Sequence, residues 1–598
     1  MPSLCEGRVA PRKPAVPERT VTIARSLRRA AAALALLIAL SPRASTEAPD
    51  TTILSIVSTS DLHGIVFPRN GLGGLSLFGG YLKNLRDARG ADGAVVLVDS
   101  GDTFEGAVDS HLSEGAIVVD AYNALGYSAS ILGNHEFDLG AANAPGARET
   151  VGGDPRGAIK ARAVQAAFPF LAANLIDEVT GRPVEWPNVQ PSTLLHTNGL
   201  TIGIVGVMTI DALRATVPSN IRGLRVAPLA AAVAEQASGL RAAGAHIVIV
   251  GAHAGGGCTQ FDDPDDLSSC DTTSEIFQLA RDLPPGLVDV IAAGHTHDGL
   301  GHRVAGIAVI QAYSHGRSFA RADLVIDRTT KRVRDVRLFA PHGVCPRMHA
   351  TTGQCLSEAE AANMQPAAWY EGRPVRPDTR IAEAMAPAIQ RVRELQATPL
   401  GLRVDADIVR AGDLESPLGN LFADALRART GADVAIVNTR LGGLRADLPA
   451  GDLTFGALFD VFPFDDRLLT LRLTGRQLRE MFAGEIERGR RGALAVAGVH
   501  VRAACEGGGL RVEILRPPEA PIAQDQEIAV AIMDSPAARR VLASIAPPGG
   551  FRTADDAPLV RELVEDWLRQ HGGRVRAEDF LDPARPRWIV ADGINTCR

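Results

Sequence analysis

Residues 130–138 read Ser-Ile-Leu-Gly133-Asn134-His135-Glu136-Phe137-Asp138. A short apolar run that stops at a glycine and gives way to an amide, an imidazole and two carboxylates is the pattern of a buried strand delivering polar side chains into a loop. Working outward, the same form recurs. Upstream, Ile53–Ser58 runs into Asp61-Leu-His63-Gly, and Ala94–Val98 runs into Asp99-Ser-Gly101-Asp102-Thr-Phe-Glu. Downstream, His246–Val250 leads to His253, and Val288–Ala292 leads to Gly294-His295-Thr296-His297. A lone Asp-x-His or His-x-His is usually a surface loop. Five such loops in chain order, each at the end of a predicted strand, form a constellation of metal-ligand type. Thr201–Val207 reads as a further buried strand, and Pro228–Ala243 as a helix with its proline at the favoured first position. Short strands alternating with helices imply a layered α/β (α+β) sheet with polar residues at its strand ends.

The chain has 598 residues. Single cores stop growing at about 250–300 residues, so two large domains are expected. Hydrophobic content of 46% and charged content of 22% are those of a soluble globular chain. A formal net charge of -7 carries no basic footprint, so no nucleic acid polymer is expected as a partner. Between Pro341 and Pro377 the text turns to Pro, Gly, Cys and Thr, followed by a helical stretch Ile381–Gln396 and a second α/β unit from Pro399. The expected divisions are a leader at 1–46, a first domain at 51–340, a linker or insertion with a connecting helix at 341–397, and a second domain at 398–598. There is no internal repeat, and oligomeric state is not legible.

Arg25, Arg28 and Arg29 precede the apolar run Ala30–Leu40 and a Ser-Pro-Arg-Ala-Ser stretch, the order of a secretory signal. The run is about half the length that a spanning helix needs, so no stable membrane span is expected. The chain is read as exported, to a periplasm or the extracellular space. Val21 is an alternative start. Loss of the leader removes Cys5 and leaves Cys258, Cys270, Cys345, Cys355, Cys505 and Cys597. An even set in an exported chain suggests disulfides. Cys258 with Cys270 and Cys345 with Cys355 would close short loops, and Cys505 would then pair with Cys597.

The order DxH, GDxx, GNHE, isolated His, GHxH resembles the calcineurin-like metallophosphoesterase superfamily, and the extended GNHEFD form is similar to its 5'-nucleotidase branch. That resemblance implies a four-layer metallophosphoesterase sandwich followed by a second α/β substrate-binding domain. It implies two divalent metal ions of zinc, manganese, iron or cobalt type. Asp61, His63, Asp102 and His297 would hold one, and Asp102, Asn134, His253 and His295 the other, with Asp102 bridging. The catalytic group would be His135, Asp138 and Asn134, with Glu136 structural. Some relatives carry Gln where this chain has His297. The implied activity is hydrolysis of nucleoside 5'-monophosphates or related nucleotides by metal-activated water attack on phosphorus. The alternative is a phosphodiester, nucleotide sugar or other small phosphoester as substrate.

In the second domain, Glu415-Ser-Pro-Leu-Gly-Asn420, Gly442-Gly443-Leu444-Arg445 and Phe462-Pro463-Phe464 continue the resemblance. It implies that Arg445 contacts substrate and that Phe464 stacks on a nucleobase. The chain departs from the family at three places. An arginine expected three residues before Glu415 is Gly412, with Arg410 nearest. An asparagine expected five residues before Arg445 is Arg440, with Asn438 close. A second stacking aromatic expected after the strand Ile528–Met533 is replaced by Asp534-Ser535-Pro536.

Overall fold

The computed structural model describes residues 50–142, 153–349, 354–356, 367–410, 415–440, 443–489, 493–506, 509–545, 551, 553–554 and 557–591. The expected leader, Cys5, Gly412, Gly442 and Cys597 lie outside the described residues.

Strands β1 (Thr51–Thr59), β2 (Gly93–Asp99) and β3 (Ala129–Ile131) run parallel side by side. Strands β4 (Leu200–Met208), β5 (Ile247–His253), β6 (Val290–Ala293) and β7 (Ile307–Ala312) form a second parallel set. The chain then returns to the first sheet with β8 (Ser318–Asp327), which lies on the other flank of β1. The strands of the two parallel sets are largely apolar on both faces, as parallel strands buried between layers must be. Leu54, Ile56, Val98 and Ile131 of the first sheet meet Ile202, Ile204, Ile249 and Ile310 of the second in one buried cluster. Gly251 of β5 lets the sheets approach, since a Cβ there would lie 2.4 Å from the Ile131 side chain.

The opposite faces are covered by helices. Helices α1 (Leu75–Arg89) and α2 (Ala116–Leu125) pack with Val57 and Leu97 outside the first sheet. Helices α3 (Leu229–Ala242) and α4 (Glu275–Asp282) pack with Val248 and Ile291 outside the second. The result is the expected four-layer α/β/β/α sandwich. One local expectation is corrected: Pro228 is the N-cap of α3, with φ -56° and ψ 133°, and not its first helical residue. An extended ψ at the proline starts the helix one residue later.

Helix α5 (Thr379–Gln396) begins at the Asp378 carboxylate, which accepts from the Arg380 N–H. It leads to a four-stranded sheet built from β9 (Val434–Asn438), β10 (Arg467–Thr474), β11 (Leu494–Ala497) and β12 (Glu527–Asp534), in the order β10–β12–β9–β11. Only β9 and β12 in this sheet are parallel. Its helices are α6 (Pro417–Thr430), α7 (Phe455–Val461), α8 (Gly475–Glu487), α9 (Pro536–Ala543) and α10 (Val560–His571). Helices α6, α7 and α10 share a core with Ala435, Val437, Ala531 and Met533, whereas α8 and α9 pack on Ile436, Val530 and Ile532. The two halves meet where Val392 of α5 packs with Leu112 and Phe459.

Cys258–Cys270 and Cys345–Cys355 are disulfides, as expected. Cys505 is also disulfide-bonded, and its expected partner lies outside the described residues. No described helix is long and apolar enough to cross a membrane.

Candidate metal centre

The ligand-bearing loops continue the hydrogen bonding of the strands that feed them. Beyond β1 and β2, the Asp61 N–H donates to the Gly101 carbonyl (2.9 Å), that of His63 to Asp102 (3.0 Å) and that of Gly64 to Thr103 (2.8 Å). Asp61, His63, Asp102, His295 and His297 all have positive φ, between 51° and 77°. Such conformations cost non-glycine residues about 1–3 kcal/mol each and persist where the surroundings over-determine them, typically at functional sites. Glu136, fully buried, accepts from the N–H groups of Asp102 (3.0 Å), Thr103 (2.6 Å) and Gly133 (2.6 Å) and from the Thr103 hydroxyl (2.6 Å). It fastens the second loop to the third. Gly133 is needed there because a Cβ would lie 2.2 Å from Asp102 Oδ1.

These loops bring the expected ligands into two adjoining sets. In one, His63 Nε2 lies 2.9 Å from His297 Nε2, which is 3.5 Å from Asp61 Oδ1. In the other, His253 Nε2 lies 3.1 Å from Asn134 Oδ1, Asp102 Oδ2 and His295 Nδ1 alike. The Asn134 amide donates to the Ala215 carbonyl (3.1 Å), which aims its oxygen at His253. A carbonyl can only accept, so His63 Nδ1 (3.2 Å from Glu105 O) and His253 Nδ1 (2.9 Å from Ser100 O) carry the protons. Their Nε2 atoms are thereby left facing the cluster. At His253 burial disfavours charge, but Asp102 outweighs it and raises this ring to about 9, so a second proton on Nε2 answers the Asp102 and Asn134 oxygens, and a divalent cation at their centre would take that proton's place. Imidazole nitrogens with carboxylate and amide oxygens suit divalent cations.

Burial dominates the electrostatics. It pushes Asp61 up to about 7, and it pushes His63 down to about 3 and His295 to about 4. Burial acts on Asp102 too, but the facing His253 and His135 rings outweigh it and hold that carboxyl well below the usual range. Neutral His63 and His295 and an ionised Asp102 are in the forms that ligate, whereas His253 and Asp61 would give up a proton to a cation.

His135 stands beside these sets without joining the second. Its N–H donates to Asp102 Oδ1 (2.9 Å), its Nδ1 lies 2.5 Å from Asp138 Oδ2, and its ring is 5.1 Å from that of His63. Asp138 is fixed in turn by the Thr216 hydroxyl (2.7 Å). Burial opposes charge on His135, but Asp138 and Asp102 overcome it and raise its pKa well above the ordinary value.

The residues expected of the second half are brought together only in part. The Arg445 guanidinium lies 5.3 Å over the Phe464 ring, and its charge reaches Glu105 beside His135. Arg410 donates to the Leu444 carbonyl (3.3 Å), and its N–H to Asp447 (2.8 Å), so it braces the approach to Arg445. Asn438 and Arg440 instead line a cavity of about 610 Å³ with Ser535, Arg488 and Arg540, at the carboxyl ends of β9 and β12. The Ser535 hydroxyl caps α9 by accepting from the Ala538 N–H (3.2 Å).

Three features escaped the sequence reading. Glu105 Oε2 lies 3.6 Å from His135 Nδ1. The His315 ring is 5.4 Å from His63 and 5.5 Å from His297, and its N–H donates to the Asp61 carbonyl (2.7 Å). The available signal for it was one more histidine just past a strand, in Tyr313-Ser-His315-Gly. Finally, Asp465 takes His111 (3.0 Å) and Arg561 (2.7 Å) as partners, and Arg561 also holds the Phe464 carbonyl (3.0 Å).

Residues 54–299 match the model of the calcineurin-like phosphoesterase family, and residues 395–538 match that of the 5'-nucleotidase C-terminal domain. An endonuclease of Bacillus subtilis is 26% identical over 453 residues, 72% of this chain and 33% of that protein. A 5'-nucleotidase of Vibrio cholerae is 24% identical over 471 residues, 74% of this chain and 77% of that protein. The chain thus spans a third of the length of the first relative and about three quarters of the second. The crystal structure of a 5'-nucleotidase precursor from Thermus thermophilus superposes with a TM-score of 0.55 at 21% identity, covering 90% of this chain and 99% of that one. At that identity the likeness is one of fold.

Proposed function

Because the chain belongs to the 5'-nucleotidase family, joining a calcineurin-like phosphoesterase domain to that family's C-terminal domain, we propose that it is a metal-dependent phosphoester hydrolase of nucleoside 5'-monophosphates or related nucleotides. The observation that carries this reading is the gathering of Asp61, His63 and His297 in one set and of Asp102, Asn134, His253 and His295 in another, with His135 beside them. Asp61, His63, Asp102 and His297 would hold one divalent cation, and Asp102, Asn134, His253 and His295 a second. Zinc, manganese, iron and cobalt all suit these donors. When bound, such a pair supplies Lewis acidity toward phosphoryl oxygens and a water acidic enough to attack phosphorus near neutral pH.

The chain's own groups do the rest. Asp138 keeps the proton on His135 Nδ1 and fixes the ring, so that the opposite N–H of the imidazolium can meet charge growing on a phosphoryl oxygen. The Phe464 face offers a stacking surface for a base, which is worth roughly 1–3 kcal/mol. Arg445, over that ring, supplies a cation for the groups between base and phosphate. In this reading the catalytic domain is 51–340 and the substrate-binding domain 398–598. The leader and the disulfides support export to a periplasm or the extracellular space.

A second reading keeps the metals and changes the substrate to a phosphodiester or nucleotide sugar. What favours it is Ser535, which caps a helix where a second stacking ring was expected and lines an open cavity. The deciding experiment is phosphate release by the purified mature protein from mono-, di- and cyclic nucleotides, a nucleotide sugar and an aryl phosphate, with each metal in turn. Release from none of them, with any metal, would remove the hydrolase assignment.

A further inference from the structure

Asp99 ends β2, just before the loop that carries Asp102. It is fully buried, and four donors converge on its carboxylate. Oδ2 accepts from the hydroxyls of Thr59 (2.6 Å) and Tyr122 (2.9 Å), and Oδ1 from the Gly101 N–H (3.0 Å) and the Ser130 hydroxyl (3.4 Å). An ionised carboxylate has room for four such bonds and donates none, so it fits this site as neither an amide nor a neutral acid does. Burial raises the group to about 7, the bonds from Thr59, Gly101 and Tyr122 pull the other way, and cations bound nearby would favour the ion further.

The Gly101 N–H and the Ser100 carbonyl belong to one peptide group. That carbonyl accepts from Nδ1 of His253 (2.9 Å), whose Nε2 faces Asp102, Asn134 and His295. A single chain of hydrogen bonds therefore runs from the buried carboxylate, across one peptide, to a ligand atom. Ligating histidines commonly give their second N–H to a carboxylate, which orients the ring and strengthens it as a donor. Here a peptide stands between the two and passes the effect on, because hydrogen bonds in a chain polarise one another. His63 provides the contrast. Its Nδ1 proton goes to the Glu105 carbonyl at 3.2 Å, and among the described residues no carboxylate accepts from the N–H of the same peptide, that of Gly106. Asp61 is outside the chain as well, since its N–H donates to the Gly101 carbonyl, which lies on the following peptide.

We propose that Asp99 is a positioning residue that acts on His253 through the Ser100–Gly101 peptide, fixing that ring and strengthening the hold of its ligand set on a divalent cation. This rests on the paired-cation reading above. It ties Asp99 to the set of Asn134, His253 and His295 and not to that of Asp61, His63 and His297.

The test reads the zinc occupancy of each ligand set by anomalous scattering, from crystals of the mature protein equilibrated at graded zinc concentrations. Asp99→Asn, which keeps the shape and drops the charge, should weaken zinc binding at the His253 set by roughly 10–100-fold and at the His63 set by less than about threefold. Phosphate release by this variant should fall at limiting zinc and recover at saturation, with KM unchanged. Tyr122→Phe, which removes one donor and leaves the charge, should keep both affinities within about threefold of wild type. Proton magnetic resonance should place the His253 Nδ1 proton downfield of that of His63, and Asp99→Asn should move it upfield. Equal weakening at both sets, or a lower melting temperature with both affinities unchanged, overturns the proposal. Asp99→Ser repeats the comparison should the amide variant misfold. If neither folds, the wild-type protons decide, and a His253 proton no further downfield than that of His63 overturns it. A wild type that takes up no zinc at the His253 set would end the paired-cation reading instead, and the proton shifts of the zinc-free protein would still decide whether Asp99 acts on His253.

Discussion

The metal-centre loops and the substrate face of the second half are built on different plans. In the first, each ligand sits at a strand end or within a few residues of one, and its backbone is pinned by hydrogen bonds that extend the strand or by the Glu136 clamp. In the second, Arg445 and Phe464 owe their positions to distant partners, among them Arg561 on the Phe464 carbonyl and Arg410 on Leu444. Chemistry is thus fixed locally, whereas recognition depends on how far-apart segments pack. Substitutions in the two regions should separate turnover from affinity.

The largest effect is expected at Asp102, the carboxylate proposed to bridge the two cations. Asp102→Asn, or treatment with a strong chelator, should lower phosphate release by roughly 10³-fold or more, because Lewis acidity and the activated water are lost together. Elemental analysis should find two ions in the wild type and fewer in the variant. A single ion in fully active, metal-saturated protein would break the paired assignment.

Next in size is His135. Its removal takes away one transition-state donor, so His135→Ala should lower kcat by roughly 10²–10³-fold with little change in KM. A change confined to KM would move His135 from the chemical step to ground-state binding and blur the contrast between the regions.

Phe464→Ala should do the reverse. Loss of one stacking face should raise KM for nucleotides by roughly 5–150-fold, with kinetics on a simple aryl phosphate nearly unchanged. Equal impairment of both substrates would show that the ring acts through packing and not through a base.

The smallest effect on turnover is expected at Asp465, whose role is read in stability. Burial pushes its carboxyl up, but His111 and Arg561 outweigh that and hold it well below the ordinary range. A carboxyl depressed in the folded state stabilises above its unfolded pKa, about 4, and that stabilisation is lost as pH falls through the lower folded value. The melting temperature of Asp465→Asn should therefore lie below that of the wild type at pH 7, and the gap should narrow below about pH 4. A gap independent of pH would assign the loss to packing.

The same contrast explains what was legible beforehand. Asp61, His63, Asp102, Asn134, His253, His295 and His297 could be placed because a strand end is visible in a few residues of sequence, and the sheet brings strand ends together. Glu105 was in view within a quoted motif, yet its approach to His135 exists only once the second and third loops are packed together. His111, Asp465 and Arg561 carry no local signature at all, since an ion pair between distant segments exists only once the halves are packed. Pro228 was misplaced by one residue because its fixed φ suits both a first helical position and an extended cap. Asn438 and Arg440 lie near Arg445 in sequence, but they line a separate cavity once β9 ends.

The Glu136 clamp has a consequence for how the protein matures. Many small metal domains collapse only when the ion arrives, so that loading and folding are one event. Here protein-to-protein hydrogen bonds tie Asp102, Thr103 and Gly133 to one carboxylate, and the ligand loops keep their outline by themselves. A chain built this way is expected to stay folded when a chelator strips it, which the circular dichroism and melting temperature of the stripped protein would check.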